Sequence, residues 1–95
     1  MKGDIAALRR ALDEIDGDLV RLFERRMEVS RMVADYKREN GLPILDAGRE
    51  AQVLDTRVHL LADKGLEAPL RALFMEIMRL SRLEQEKVFG RGETP

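Results

Sequence analysis

The sequence predicts an all-α domain built from one long helix and two shorter ones. Three observations carry that prediction. Apolar residues recur at alternating steps of three and four, no stretch alternates with the period of a strand, and proline is absent from positions 4 to 40. The first periodic stretch comprises Ile5, Leu8, Leu12, Ile15, Leu19, Leu22, Val29, Val33 and Tyr36. Asp4 suits its N-cap, and Asn40, Gly41 and Pro43 supply its stop, so the helix is expected from about Asp4 to Asn40. Gly17 costs roughly 1 kcal/mol relative to alanine there, which packing along the seam offsets.

Asp46 is the expected cap of a second helix running to about Asp63 through Val53, Leu54, Val58 and Leu61, with Lys64 and Gly65 as its stop. Pro69 fits the first turn of a third helix, which carries Leu70, Leu73, Phe74, Ile77 and Met78 and ends near Phe89. Residues 1–90 are read as one domain and 91–95 as a disordered tail. A helix of about 37 residues spans roughly 55 Å, far more than a compact domain of this size is wide. Its seam cannot be covered by two partners of half its length. Two chains paired along their long helices, an intertwined helical homodimer, are the simplest solution.

Composition narrows the function. Apolar residues make up 44% and charged residues 37% of 95, too hydrophobic for a disordered chain and too charged for a membrane protein. Seventeen Lys and Arg against eighteen Asp and Glu give a net charge of −1, so no global basic field points to nucleic acid or lipid, and any anion recognition must be local. With no cysteine and the single histidine His59, no thiolate or histidine metal site is expected. Met1 to Leu8 contains no signal-peptide run, so a cytoplasmic location is the default.

Several polar residues stand where the pattern calls for apolar ones. Arg26 breaks the seam four residues after Leu22 and three before Val29, so it must meet a carboxylate, reach solvent or face a ligand. Arg9, Asp16, Phe23, Ser30 and Lys37 follow at intervals of seven, with a cation at each end. Antiparallel pairing of two long helices can bring Arg9 of one chain toward Arg26 and Lys37 of the other. Asp46, Arg49 and Glu50 share one helical turn, and Arg49 opposes the macrodipole there. Ser81 and Gln85 continue the apolar stripe of the third helix, either as polar groups turned inward or as its solvent-exposed end.

Together these residues resemble the all-helical bacterial chorismate mutase family over nearly the whole chain. The motif is Leu8-Arg9, Leu12-Asp13-Glu14-Ile15-Asp16, Leu19, Leu22 and Arg26; then Lys37, Gly41, Pro43-Ile44, Asp46 and Arg49-Glu50; then Ser81 and Gln85. The resemblance implies conversion of chorismate to prephenate without a cofactor, by an intertwined homodimer. It implies that Arg26 and Arg49, with Arg9 from the other chain, hold the substrate carboxylates, and that Lys37 contacts a carboxylate and the ether oxygen. Gln85 would donate to the ether oxygen and Glu50 would bind the ring hydroxyl, with Asp46 and Ser81 as further pocket residues. Gly17 and Gly48 are departures that touch none of these positions. The rival expectations are an isochorismate pyruvate lyase and a noncatalytic helical dimerisation or regulatory domain.

Overall fold

The computed structural model describes residues 4–92, and among these the regular structure is entirely helical. Helix α1 spans Ile5–Glu39, α2 Ala47–His59 and α3 Glu67–Gly92, with a short 3-10 turn over Lys64–Leu66 before α3. The α1 boundaries follow local chemistry. The Asp4 carboxylate accepts from the Ala6 and Ala7 amides at 3.0 and 3.4 Å, satisfying donors that have no partner inside the helix. At the other end Gly41 takes φ 65°, and the Leu42 and Gly41 amides return to the Lys37 and Arg38 carbonyls at 2.8 and 3.5 Å. That is a Schellman stop, and it needs the left-handed residue that glycine supplies.

The second helix ends at His59, short of the expected Asp63. Asp63 is used instead as the cap of the 3-10 turn, accepting from the Gly65 amide at 2.9 Å. The Lys64 ammonium donates to the Val58 and His59 carbonyls, both at 3.4 Å, which satisfies acceptors left open where α2 stops. Pro69 lies in the first turn of α3, where its missing amide costs nothing. The third helix continues past Phe89 to Gly92, so positions 91 and 92 are helical where a disordered tail was expected. Val88 is buried and its carbonyl accepts from Arg38 at 2.9 Å, which anchors the last turns against the modest penalty of Gly90. Positions 93–95 of the expected tail lie outside the described residues.

The interhelical bonds Arg26 to Ser81, Ser30 to Gln85 and Arg38 to Val88 ascend together along both chains of residues, so α1 and α3 run parallel. Glu50 meets Arg82 and Asp55 meets Arg71, so α2 runs antiparallel to α3. The face that α1 buries is Met27, Ser30 and Ala34, a small and partly polar stripe against Met78, Ser81, Gln85 and Val88 of α3, while Val53 and Val58 are the buried residues of α2. The apolar seam read from the sequence points elsewhere. Its nine residues, Ile5 to Tyr36, are 39–63% exposed. Among the described residues the cross-helix polar contacts of α1 fall between Arg26 and Arg38, and the half of α1 before them has no buried residue. The radius of gyration is accordingly 17.1 Å, against about 12 Å for a compact chain of this length. No helix of the described residues is long and apolar enough to cross a membrane.

On the outer flank Glu84 joins α3 to α1, receiving Lys87 at 2.6 Å and Arg31 at 2.7 Å. The Lys87 ammonium first, and then the Arg31 guanidinium, hold its carboxyl down at about 2. Because the folded value lies below the ordinary carboxylate range, this bridge stabilises the fold fully above that range and the contribution is lost as pH falls toward 2. Glu84→Gln should therefore lower stability at pH 7 and show a shallower decline between pH 4.5 and 2 than the wild type, measured by urea unfolding across that range.

Candidate functional site

A cavity of about 240 Å³ opens where α1, the segment 40–46, α2 and α3 converge. Each element gives it polar groups for a local reason. α1 contributes Arg26 and, eleven residues on, Lys37, which return to the same face after three turns. The N-cap of α2 contributes Asp46, whose carboxylate accepts from the Arg49 amide at 3.0 Å, and its first turn contributes Arg49 and Glu50. α3 contributes Ser81 and Gln85, one turn apart and both buried. Their inward orientation settles the choice that the sequence left between core and solvent. Val29, Val33, Ile44 and Met78 form the apolar walls.

The cations define the electrostatics. The Arg26 guanidinium donates to the Ser81 hydroxyl at 3.0 Å and lies 6.0 Å from the Phe74 ring centroid, but forms no ion pair among the described residues. Burial lowers its pKa from the ordinary value, and the like charges of Arg57 and Arg49 lower it further. Lys37 donates to the Ile44 carbonyl at 2.6 Å and to the Gln85 amide oxygen at 3.3 Å, again without a carboxylate. Arg49 donates to the Gln52 amide oxygen at 2.7 Å. Three cations thus face one cavity with neutral partners, an arrangement that loses Coulomb energy in the empty protein and recovers it when an anion enters. The carboxylate of Glu50 does not neutralise them, since Arg82 takes it at 2.5 and 2.6 Å.

The neutral groups are arranged to support these charges. Gln85 accepts from Lys37 and donates to the Ser30 hydroxyl at 3.0 Å, which leaves its second amide hydrogen available. Ser81 accepts from Arg26 and donates to the Met27 sulfur at 3.8 Å. The site therefore holds all the residues proposed from the sequence except Arg9. That residue is exposed in the N-terminal half of α1, about 26 Å from Arg26 by helix rise. A larger open cleft of about 930 Å³ lies on the other flank of α1, floored by Phe23, Met27, Leu80 and Leu83. Its cations, Arg31 and Lys87, are spent on Glu84, and Glu24, Glu28 and Glu86 also line it, so it does not suit an anion.

A sequence profile described as chorismate mutase type II matches residues 8–86, which spans the pocket from α1 to Gln85. The chain belongs to the chorismate mutase type II family. Among curated relatives it is 52% identical over 52 residues to a 3-dehydroquinate dehydratase of Pyrobaculum aerophilum, covering 55% of this chain and 17% of that one. It is 33% identical over 66 residues to a 4-amino-4-deoxychorismate mutase of Streptomyces venezuelae, covering 70% and 64%. It is 35% identical over 74 residues to a chorismate mutase of Methanocaldococcus jannaschii, covering 78% and 75%. The chain thus spans about a sixth of the first of these relatives and just under two thirds of the second. No solved structure matches it significantly.

Two groups that hold residues of the pocket were not singled out from the sequence. Arg82 sits one residue past Ser81, off the inward stripe, and nothing in its spacing indicates that it reaches Glu50. The Ile44 carbonyl, which fixes the Lys37 ammonium, is a backbone group that no sequence pattern exposes. The pairing of Arg26 also separates function from structure. Arg26→Met removes a half-buried cation that has like-charged neighbours, and Ser81 keeps its bond to Met27. The unfolding free energy of the ligand-free protein should stay level or rise by up to about 1 kcal/mol. A fall of more than about 1 kcal/mol in chemical denaturation would make Arg26 a structural group instead.

Proposed function

We propose that this chain is a chorismate mutase that rearranges chorismate to prephenate as a homodimer. The observation that carries the proposal is the convergence of Arg26, Lys37 and Arg49, without carboxylate partners, in one small cavity of a chorismate mutase type II chain. Chorismate carries two carboxylates, and its rearrangement is intramolecular, so no nucleophile or general base is required. The protein must hold a compact conformer and stabilise developing charge.

In this reading Arg26 and Arg49 bind the carboxylates, with Arg9 from the second copy, and Lys37 binds a carboxylate and the ether oxygen. As the carbon–oxygen bond lengthens, negative charge grows on that oxygen. The Lys37 ammonium and the free amide hydrogen of Gln85 then interact with it more strongly than in the ground state, which is what accelerates the reaction. The Ile44 carbonyl and Ser30 hydroxyl hold those two donors in place beforehand. Glu50 accepts from the ring hydroxyl. Asp46 holds the start of α2 and so the position of Arg49, while Ser81 orients Arg26. Residues 1–90 constitute the catalytic domain, and the match over 8–86 supports that extent.

The second copy is supported by three features of the single chain. The seam of α1 is exposed along about 47 Å, only six hydrophobic side chains of the described residues are buried, and Arg9 lies far from the pocket it would complete. Pairing along the seams would bury the first and bring the third to a neighbouring pocket. The family match does not favour the lyase or noncatalytic alternatives. The S. venezuelae relative's name specifies a substrate with an amino group in place of the ring hydroxyl. We assign the hydroxyl substrate to this chain.

Incubated with chorismate, the chain should consume its ultraviolet absorbance and yield prephenate by chromatography. Arg26→Ala and Gln85→Ala should each lower kcat/KM about a hundred- to a thousandfold. Wild-type protein that leaves chorismate untouched, or variants that keep wild-type rates, would refute the assignment.

A further inference from the structure

One charged clamp joins α2 to α3 at the edge of the pocket. A single nitrogen of Arg82, Nη1, donates to both carboxylate oxygens of Glu50, at 2.6 and 2.5 Å. Glu50 lines the cavity and Arg82 does not. The pair also differs in kind from Arg79 with Glu76 or Arg71 with Glu67, which connect successive turns of one helix. It bridges positions 50 and 82, and its side chains are 26% and 32% exposed, so it is less screened than those pairs.

The clamp changes what Glu50 can recognise. Each carboxylate oxygen can accept more than one hydrogen bond, so Glu50 can still accept from a ligand while Arg82 holds it. What it no longer offers is an uncompensated negative charge. Arg26, Lys37 and Arg49 face the same cavity without ion-pair partners, against the one further carboxylate of Asp46, which caps α2, so a cationic group on the ligand would meet a predominantly positive surrounding.

We infer that Arg82 is a specificity-determining positioning residue that, by clamping Glu50, makes the pocket select a neutral hydroxyl over an ammonium at the substrate's ring position. The inference rests on the proposed mutase reading, in which Glu50 faces the ring hydroxyl. An amino group at that position is an aliphatic amine and is protonated near neutral pH, as lysine is. Hydroxyl and ammonium can both donate to Glu50, so hydrogen bonding alone does not separate them. Charge does. A free Glu50 would attract the ammonium, and the clamped one is an oriented acceptor with its charge offset by the guanidinium beside it.

The test compares kcat/KM for chorismate and for its 4-amino-4-deoxy analogue in the wild type, Arg82→Gln and Arg82→Lys. The wild type should prefer chorismate. Arg82→Gln should raise the amino-to-hydroxyl ratio on the order of tenfold, mainly through KM of the amino compound, and Arg82→Lys should hold it within about twofold of the wild type. If Arg82→Gln is unstable, Arg82→Met keeps the aliphatic stem without the charge and gives the same comparison. A wild type that prefers the amino compound, an unmoved ratio in a folded neutral variant, or a lysine variant that shifts like the glutamine one overturns the inference alone. Loss of the fold in both neutral variants overturns it too, by making the clamp a structural pair. Wild-type protein that converts neither compound overturns the mutase reading and this inference with it.

Discussion

Three cations held toward one cavity by neutral partners constrain the rest of this structure. Arg26, Lys37 and Arg49 repel one another when the cavity is empty, so they converge only because a rigid frame holds them there. For Arg26 and Lys37 that frame is the parallel contact between α1 and α3, while Arg49 comes from α2, which ion pairs tie to α3. The contact of α1 with α3 is built on a stripe of modest side chains, Ser30 and Ala34 beside Met27, that lets the helices approach closely. The polar members of the contact do two jobs at once. Ser81 and Gln85 are buried in it, and each holds one of the cations by a hydrogen bond. An apolar residue at either position would serve packing and take a hydrogen bond away from one of the cations.

The same stripe explains why the chain is elongated. Packing α3 against Met27, Ser30 and Ala34 leaves the larger and more hydrophobic face of α1 uncovered. A face of that length and composition on one molecule is far beyond the scattered apolar side chains of an ordinary surface. The proposed homodimer and the proposed contribution of Arg9 are therefore one hypothesis. Whatever covers the N-terminal half of α1 also decides which groups that half can deliver.

What the sequence disclosed follows the range of the interactions involved. The start and stop of α1 were legible because Asp4, Asn40 and Gly41 act within a few residues of themselves. The end of α2 was not, because Asp63 can cap either the end of one helix or the turn that starts the next, and only the packed chain chooses. Helix periodicity singled out Lys37, Ser81 and Gln85 but left Ser81 and Gln85 open between an inward face and a solvent-exposed end, and the pocket gathers all three. It also marked the seam of α1 as a face the chain's own helices cannot cover, and that face is exposed here, but it missed the Met27, Ser30 and Ala34 stripe that packs against α3, since hydropathy is blind to a contact made by serine and alanine. Arg82 was invisible for a related reason. Its partner is fixed by how α2 crosses α3, and a crossing has no signature in residue spacing.

The central claim is that the unpaired cations form a chorismate site completed by Arg9 of a second copy, and mixing two inactive variants tests it most directly. Arg9→Ala and Arg26→Ala homodimers each lack one cation at every site. Dissociated and reassociated together in equal amounts, half of the dimers are mixed, and each mixed dimer has one site with both arginines. Chorismate mutase activity should reappear at about one quarter of the wild-type value per chain. No recovery beyond the two variants alone, with mixed dimers demonstrated by mass spectrometry, would contradict the account.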